Sequence, residues 1–238
     1  MRVFCLKKGH VMRGFFSYDG KFAVLMDKVA GLFWLNLLTF VCSLPVITAG
    51  AAMTACYYVT LKMARNEEGY VTKGFFKSFK QNFRQSTVIW LLMLLLGMAF
   101  FLDYRMLSIA GSDGKRAVPF ANAIFIVICA VAMIFLMTGI YIFPVLARFD
   151  NTIKNTVKNA FIMSVVNFPK TLLLLAIKMV FPALFVLAVM TNRALWLIPV
   201  VICFGVSGGS YFCSKIFAGI FDKYMPHENG GSETVREP

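Results

Sequence analysis

Charged side chains are rare along this chain, and the gaps between them predict its elements. From Val29 to Leu61 nothing is charged, and Lys28 and Lys62 bound the run. One straight helix over it would be about 50 Å long, against about 30 Å for the hydrocarbon core of a bilayer. The stretch SLPVITAG, residues 43–50, lies at its middle. Pro45 disfavours helical geometry in the residue before it, so the first helix ends there. Thr48 is a candidate N-cap for a second helix. Gly50, Ala51, Ala52, Thr54 and Ala55 give that helix a small-residue face for close packing. Each arm of the hairpin is about 25–27 Å long by helix rise, so a shallow or re-entrant hairpin is the alternative to full crossing.

The remaining apolar runs complete the expected architecture. Spans fall near 29–46, 48–64, 87–108, 119–147, 171–190 and 195–217. The fold class is therefore all-α, a polytopic membrane helical bundle of about six transmembrane helices. Residues 1–225 form one integral membrane domain. The polar tail 226–238, PHENGGSETVREP, is expected to be a disordered cytoplasmic segment.

Two stretches between spans read as cytoplasmic amphipathic helices. In 70–85, YVTKGFFKSFKQNFRQ, Phe76, Phe79 and Phe83 recur at helical spacing beside Lys73, Lys77, Lys80 and Arg84. Rings at the acyl boundary and cations at the headgroups describe an interfacial helix, and the same face is a candidate docking surface for a partner. In 150–170, Ile153, Val157, Phe161, Val165 and Phe168 mark an apolar face, with Lys154 and Lys158 among asparagines. The two stretches resemble each other. Tyr58, Ala64-Arg65, Lys73, Phe76, Ser78 and Asn82-Phe83 run in the same order as Tyr141, Ala147-Arg148, Lys158, Phe161, Ser164 and Asn167-Phe168. A parallel internal repeat is one reading of this, and chance similarity in a low-complexity membrane sequence is the other.

Composition sharpens the picture. The chain is 59% hydrophobic and 15% charged over 238 residues, with 25 Phe, which is far from a water-soluble balance. Its net charge of +13 could suggest a nucleic-acid partner, but the basic residues gather between spans. With six spans and the N-terminus inside, only Arg105, Lys115, Arg116 and Arg193 fall in outer loops, while nineteen of the 24 basic residues fall on the cytoplasmic side. That asymmetry fits the positive-inside rule. It predicts a multi-pass plasma-membrane protein with both termini cytoplasmic. It also favours the hairpin, because a single span over 29–64 would put the basic loop 65–86 outside. No cleavable signal peptide is evident, and the first span is expected to act as an uncleaved insertion signal.

Candidate chemistry is sparse. None of the 11 acidic residues sits mid-span, and no nucleophile–base pair or Gly-rich phosphate loop is present. The chain is expected not to be an enzyme. His10 and His227 are the only histidines, so no zinc or haem site is expected, and no cofactor. Cys5, Cys42, Cys56, Cys129, Cys203 and Cys213 read as free thiols acting as small hydrophobes.

Lys178 is the one charged residue clearly inside a span. It either snorkels to the interface, the slightly favoured reading, or lines a pathway. Pro182, four residues on, removes the backbone donor that would bond toward residue 178. Gly205 and Gly209, in FGVSGGS, make a G-x-x-x-G pair, read first as tight packing and second as a hinge beside a binding site. Asn36, Asn122 and Asn167 are expected to bond between helices.

Tyr18-Asp19-Gly20, LNLL at 35–38, SLPVITAG at 43–50, YYVTLKMARNEEGYV at 57–71 and FFKSFKQNFRQ at 75–85 together resemble the YesL family of bacterial membrane proteins. That family is built around a domain of unknown function and is seen mainly in Gram-positive bacteria. The likeness is strongest over 14–90 and continues with less specificity to about 220. It rests on Leu44, Pro45, Thr48, Gly50, Glu67-Glu68-Gly69 and Asn82-Phe83. Family members often accompany genes for carbohydrate uptake and polysaccharide breakdown. The resemblance thus implies a non-enzymatic accessory of a carbohydrate uptake system, docking on an ABC-type sugar permease. A small secondary transporter or channel, with its path near Lys178 and Gly205–Gly209, is the alternative. The lipid bilayer is a partner in either case, and nucleic acid in neither.

Overall fold

The computed structural model describes residues 21–67, 69–112, 119–191 and 197–224, and all regular structure among them is helical. The helices are α1 (Lys21–Ser43), α2 (Ala49–Ala64), α3 (Val71–Ser112), α4 (Pro119–Arg148), α5 (Ile153–Val166), α6 (Phe168–Thr191) and α7 (Leu197–Phe221). The tail 226–238, both histidines, Lys115, Arg116 and Arg193 lie outside the described residues.

SLPVITAG does turn the chain around. α1 stops at Ser43, and a single 3-10 turn over Val46–Thr48 leads into α2. Thr48 does not cap α2 as expected: its backbone is already helical and its side chain makes no cap bond there. Its hydroxyl instead donates backward, lying 2.6 Å from the Cys42 carbonyl oxygen and 2.8 Å from that of Pro45. It thereby satisfies the C-terminal end of α1, where carbonyls lack helical partners. Trp90 Nε1 donates to the Val46 carbonyl at 2.7 Å and ties the turn to α3.

α2 is the centre of the bundle. It packs against α1, α3, α4 and α7, and Gly50, Ala51, Ala52, Thr54 and Ala55 are all buried, as the small-residue face predicted. At Gly50 the crossing with α3 is so close that a Cβ would stand 2.5 Å from Trp90 Cβ and 2.7 Å from the Ser86 carbonyl oxygen. Only glycine permits this approach.

Side-chain contacts fix the helix directions. Lys28 reaches Asn66, and Gly31 faces Met63, so α1 and α2 are antiparallel. Gly74 faces Val59 while Gly50 meets Trp90, which reverses α3 against α2. Gln85 bonds Asn151 and Trp90 meets Phe143, which reverses α4. Asn167 bonds Tyr224 while Phe181 covers Gly209, which sets α6 against α7. An Arg65–Asp222 ion pair joins the end of α2 to the residue just after α7. The six long helices thus alternate in direction. The start of α1, the α2–α3 loop, α5 and the end of α7 gather at one basic end. The SLPVITAG turn lies at the other.

Among the described residues, four helices are long and apolar enough to cross a membrane, over Met26–Ser43, Val71–Met106, Phe125–Arg148 and Phe168–Met190. Their outer faces carry exposed leucine, isoleucine, valine and phenylalanine, among them Leu92, Leu95, Phe101, Ile126, Leu173 and Leu187. Such a belt suits lipid tails, not water. α2, with 16 residues, is about 24 Å long, short of the hydrocarbon thickness. Eleven of its residues are buried by other helices, so protein meets most of it in place of lipid.

The two amphipathic stretches behave differently. The break expected near residue 86 is absent: 71–112 is one helix of 42 residues, about 63 Å long. Nothing in FFKSFKQNFRQSTVIW stops a helix, since it holds no Pro or Gly. In the second stretch α5 does end, at Val166, and α6 starts at Phe168. Pro169 restrains the residue before it there. The expected apolar stripe of α5 faces outward, with Val157, Phe161, Val165 and Phe168 exposed. Thr156, Ala160, Met163 and Ser164 form its buried face. That arrangement fits a helix lying at a lipid surface.

Candidate functional site

The interior of the bundle is polar where α1, α2 and α7 meet. Asn36 Oδ1 accepts the Ser207 backbone N–H at 3.1 Å. Thr60 and Ser214 hydroxyls lie 2.8 Å apart. Cys56 lies between Thr39 and Ser210. Thr39, Thr54 and Thr60 bond carbonyls in the turn before them, the usual way a hydroxyl is satisfied inside a helix. Ser207 and Ser210 Oγ and the Tyr57 hydroxyl are buried and have no hydrogen-bond partner among the described residues.

Lys178 enters this region from α6. Its side chain crosses to α2, with Nζ 4.9 Å from the centroid of the Tyr57 ring. The favoured snorkelling expectation therefore does not describe it. The ring of Tyr57 is held edge-on to Phe217 at 6.1 Å, and Phe217 in turn packs against Tyr141 at 5.0 Å. A cation over a desolvated ring gains about 2 kcal/mol, which offsets part of the cost of removing an ammonium from water.

Two clefts flank Lys178. One, of about 370 Å³, is lined by Met53, Phe181, Phe185 and Val206 together with Lys178, Pro182, Gly205 and Gly209. The four pathway candidates from the sequence thus share one cavity. The other, of about 200 Å³, is lined by Tyr57, Met93, Phe135, Phe143 and Met179 among others, and again by Met53 and Lys178. No lining residue of either cleft is acidic. Gly209 also serves packing: a Cβ there would meet the Phe181 ring at 3.4 Å. Pro182 lies inside α6 without ending it, and leaves the Lys178 carbonyl without its helical donor.

Sequence reasoning missed Tyr57. Its only signal was its place in a continuous apolar run, which does not say which ring an incoming cation meets. Asn36 does bond between helices, to α7, whereas Asn167 sits between α5 and α6 and its Nδ2 donates to Tyr224 just beyond α7. The Asn122 side chain lies outside the described residues. Cys56 and Cys213 are buried free thiols, whereas Cys129 faces outward.

The docking candidates lie on the first turns of α3. Lys73, Phe76, Lys77, Lys80, Phe83 and Arg84 are exposed, while Phe79 is half-buried between Phe75 and Phe83 in a ladder of rings 6.0 and 5.5 Å apart. The side chain that seats this segment on α2 is Phe75, fully buried, which the sequence reading passed over for its neighbour Phe76.

Residues 32–104 match the family described as "Protein of unknown function, DUF624". YesL proteins carry this domain, so the match is consistent with the resemblance read from the sequence. The matched residues run from the middle of α1 through the SLPVITAG turn and α2 to most of α3. They include Tyr57, Gly50 and the exposed basic face of α3, and exclude Lys178, Pro182, Gly205 and Gly209. No curated protein and no solved structure matches the chain.

Proposed function

We propose that this membrane protein is non-enzymatic and binds a small anionic solute at Lys178, as a small secondary transporter or channel does. The supporting observation is Lys178 itself, a lysine turned into the bundle over Tyr57, between two clefts without a lining acid. An intramembrane cation is costly, and a pathway for an anion accounts for keeping one. Apolar walls of Met53, Phe181 and Phe185 favour a solute with a hydrophobic body. All six alternating helices cross the bilayer in this reading, and the basic end faces the cytoplasm with both termini.

The test is uptake by proteoliposomes over a panel of small carboxylates and phosphate esters. Lys178→Gln abolishes saturable uptake and Lys178→Arg retains part of it, with both variants eluting as the parent does. Equal uptake by Lys178→Gln would sink the reading.

A second reading makes the protein an accessory of a carbohydrate uptake system, docked on an ABC-type sugar permease. It is favoured by the exposed row of Lys73, Phe76, Lys77, Lys80, Phe83 and Arg84, whose partner would cover rings that otherwise meet water or headgroups. A pull-down from native membranes grown on complex polysaccharide decides it. Permease subunits recovered by the parent and lost with Lys77→Glu/Lys80→Glu support docking; recovery of this chain alone opposes it.

A further inference from the structure

A separate pocket lies at the basic end, where α2 hands over to α3. It encloses about 220 Å³ and is lined by Lys62, Lys73, Lys77, Tyr58, Tyr70 and the backbone around Gly69 and Gly74, among others. Lys62 comes from the last turn of α2, and Lys73 and Lys77 from the first two turns of α3, one helical turn apart. Two of the three ammonium groups are held by rings: Lys62 lies 4.8 Å from the Tyr58 centroid and Lys73 4.9 Å from that of Tyr70. Neither bond consumes the charge, because an aromatic face leaves the ammonium donors free.

The helix terminus adds positive potential to the three lysines. The pocket sits at the N-terminus of a helix of 42 residues, whose first N–H groups have no helical acceptors. No lining residue is acidic. Of the two acids in the loop, Glu67 does not line the pocket, and Glu68 lies outside the described residues. Three lysines and two tyrosines around one concavity have the donors to hold a phosphate group with several acceptor oxygens.

We propose that this pocket binds the phosphate of an anionic phospholipid headgroup. Free phosphate offers the same chemistry, but the position favours lipid. Tyr70, which lines the pocket, and Phe76, next to Lys77 on α3, are exposed rings, and the same helix continues directly into an apolar span. Basic pockets at membrane surfaces take headgroups on these terms. The site is independent of Lys178, which sits deeper between α6 and α2.

The experiment titrates the detergent-purified full chain with dioctanoyl-phosphatidylglycerol, dioctanoyl-phosphatidylcholine and inorganic phosphate, and reads thermal stabilisation. Phosphatidylglycerol stabilises the parent, and the other two do so far less. Lys62→Gln/Lys73→Gln/Lys77→Gln weakens the phosphatidylglycerol response on the order of a hundredfold, at about fivefold per lysine. The charge-matched control Lys154→Gln/Lys158→Gln/Lys170→Gln, three exposed lysines on α5 and the start of α6 that line no part of the pocket, changes it by less than about threefold. An equal loss in the control would reduce the effect to bulk charge and overturn the pocket. Stabilisation by inorganic phosphate as strong as by phosphatidylglycerol would overturn the lipid assignment. If the triple variant fails to fold, Lys73→Gln alone, with retained elution, must still lose about fivefold for the pocket to stand.

Discussion

Gly50 offers a sharp test of the α2–α3 crossing. In an ordinary helix interior, replacing glycine by alanine stabilises by about 1 kcal/mol. At Gly50 the new Cβ would lie 2.5 Å from Trp90 Cβ and 2.7 Å from the Ser86 carbonyl oxygen. Ordinary contact begins near 3.4 Å, so the helices must part by about 0.9 Å at a point where both sides are main chain or its first carbon. Overpacking of this kind costs about 1–3 kcal/mol. The movement also stretches the Trp90 Nε1 bond to the Val46 carbonyl, which is worth about another 1 kcal/mol. Against the helix gain, Gly50→Ala should lose about 1–3 kcal/mol, or roughly 3–10 °C in melting temperature for a chain of this size. The matched control is Gly97→Ala. That glycine lies on α3 with nothing within 4 Å of a Cβ, so the same change there should be neutral or slightly stabilising. The assay is thermal unfolding of fluorescently tagged protein in mild detergent, read by monodispersity after heating. If Gly50→Ala melts at or above the parent, the close crossing is wrong.

Thr60 and Ser214 bridge α2 and α7, and a double-mutant cycle with Thr60→Val and Ser214→Ala should give a coupling of about 0.6 kcal/mol, as interhelical hydrogen bonds in membranes do. A coupling indistinguishable from zero would mean the two hydroxyls do not share a proton. Ile47→Cys, on a background cleared of the accessible Cys129, should react with an impermeant thiol reagent from outside intact cells, because Ile47 is exposed at the tip of the turn opposite the basic end. Reaction only after permeabilisation would mean either a re-entrant hairpin or a reversed bundle, and a second cysteine at Lys73 separates those two.

What the sequence made legible was set by strong, local rules. Pro45 had to end α1, and the row of small residues after it had to be buried, because nothing else could use such a face. The gathering of the basic segments at one end of the bundle followed from charge. Depth and register did not. Whether 70–85 is its own helix depends on an interruption, and a stretch without Pro or Gly has no reason to break at the water–lipid boundary. The analogous junction at Phe168–Pro169 does break, and its proline is the difference. Thr48 was misassigned because a cap and a backward-bonding hydroxyl use the same residue type. Periodicity alone could not choose Phe75 over Phe76 as the packing residue, since both sit on overlapping faces one residue apart.

The candidate site shows the same limit from the other side. Lys178 was visible as an exception to membrane composition, Pro182 as a lost backbone donor and Gly205 with Gly209 as a spaced pair, and they come together in one cleft. Their partner Tyr57 is not an exception to anything. It comes from α2, the helix that lipid barely reaches, and that placement explains its use. A short, enclosed helix can present a polar ring to an incoming ammonium without exposing either to hydrocarbon, whereas a lipid-facing helix of full length would leave one of them stranded. α2 is thus short where the bilayer would demand length, and small-faced where α3 demands closeness, and both concessions place Tyr57 beneath Lys178. A variant that opens the α2–α3 crossing should therefore also weaken solute binding at Lys178, while Gly97→Ala leaves it unchanged. If Gly50→Ala lowers stability yet binding survives intact, the position of Tyr57 does not depend on that crossing.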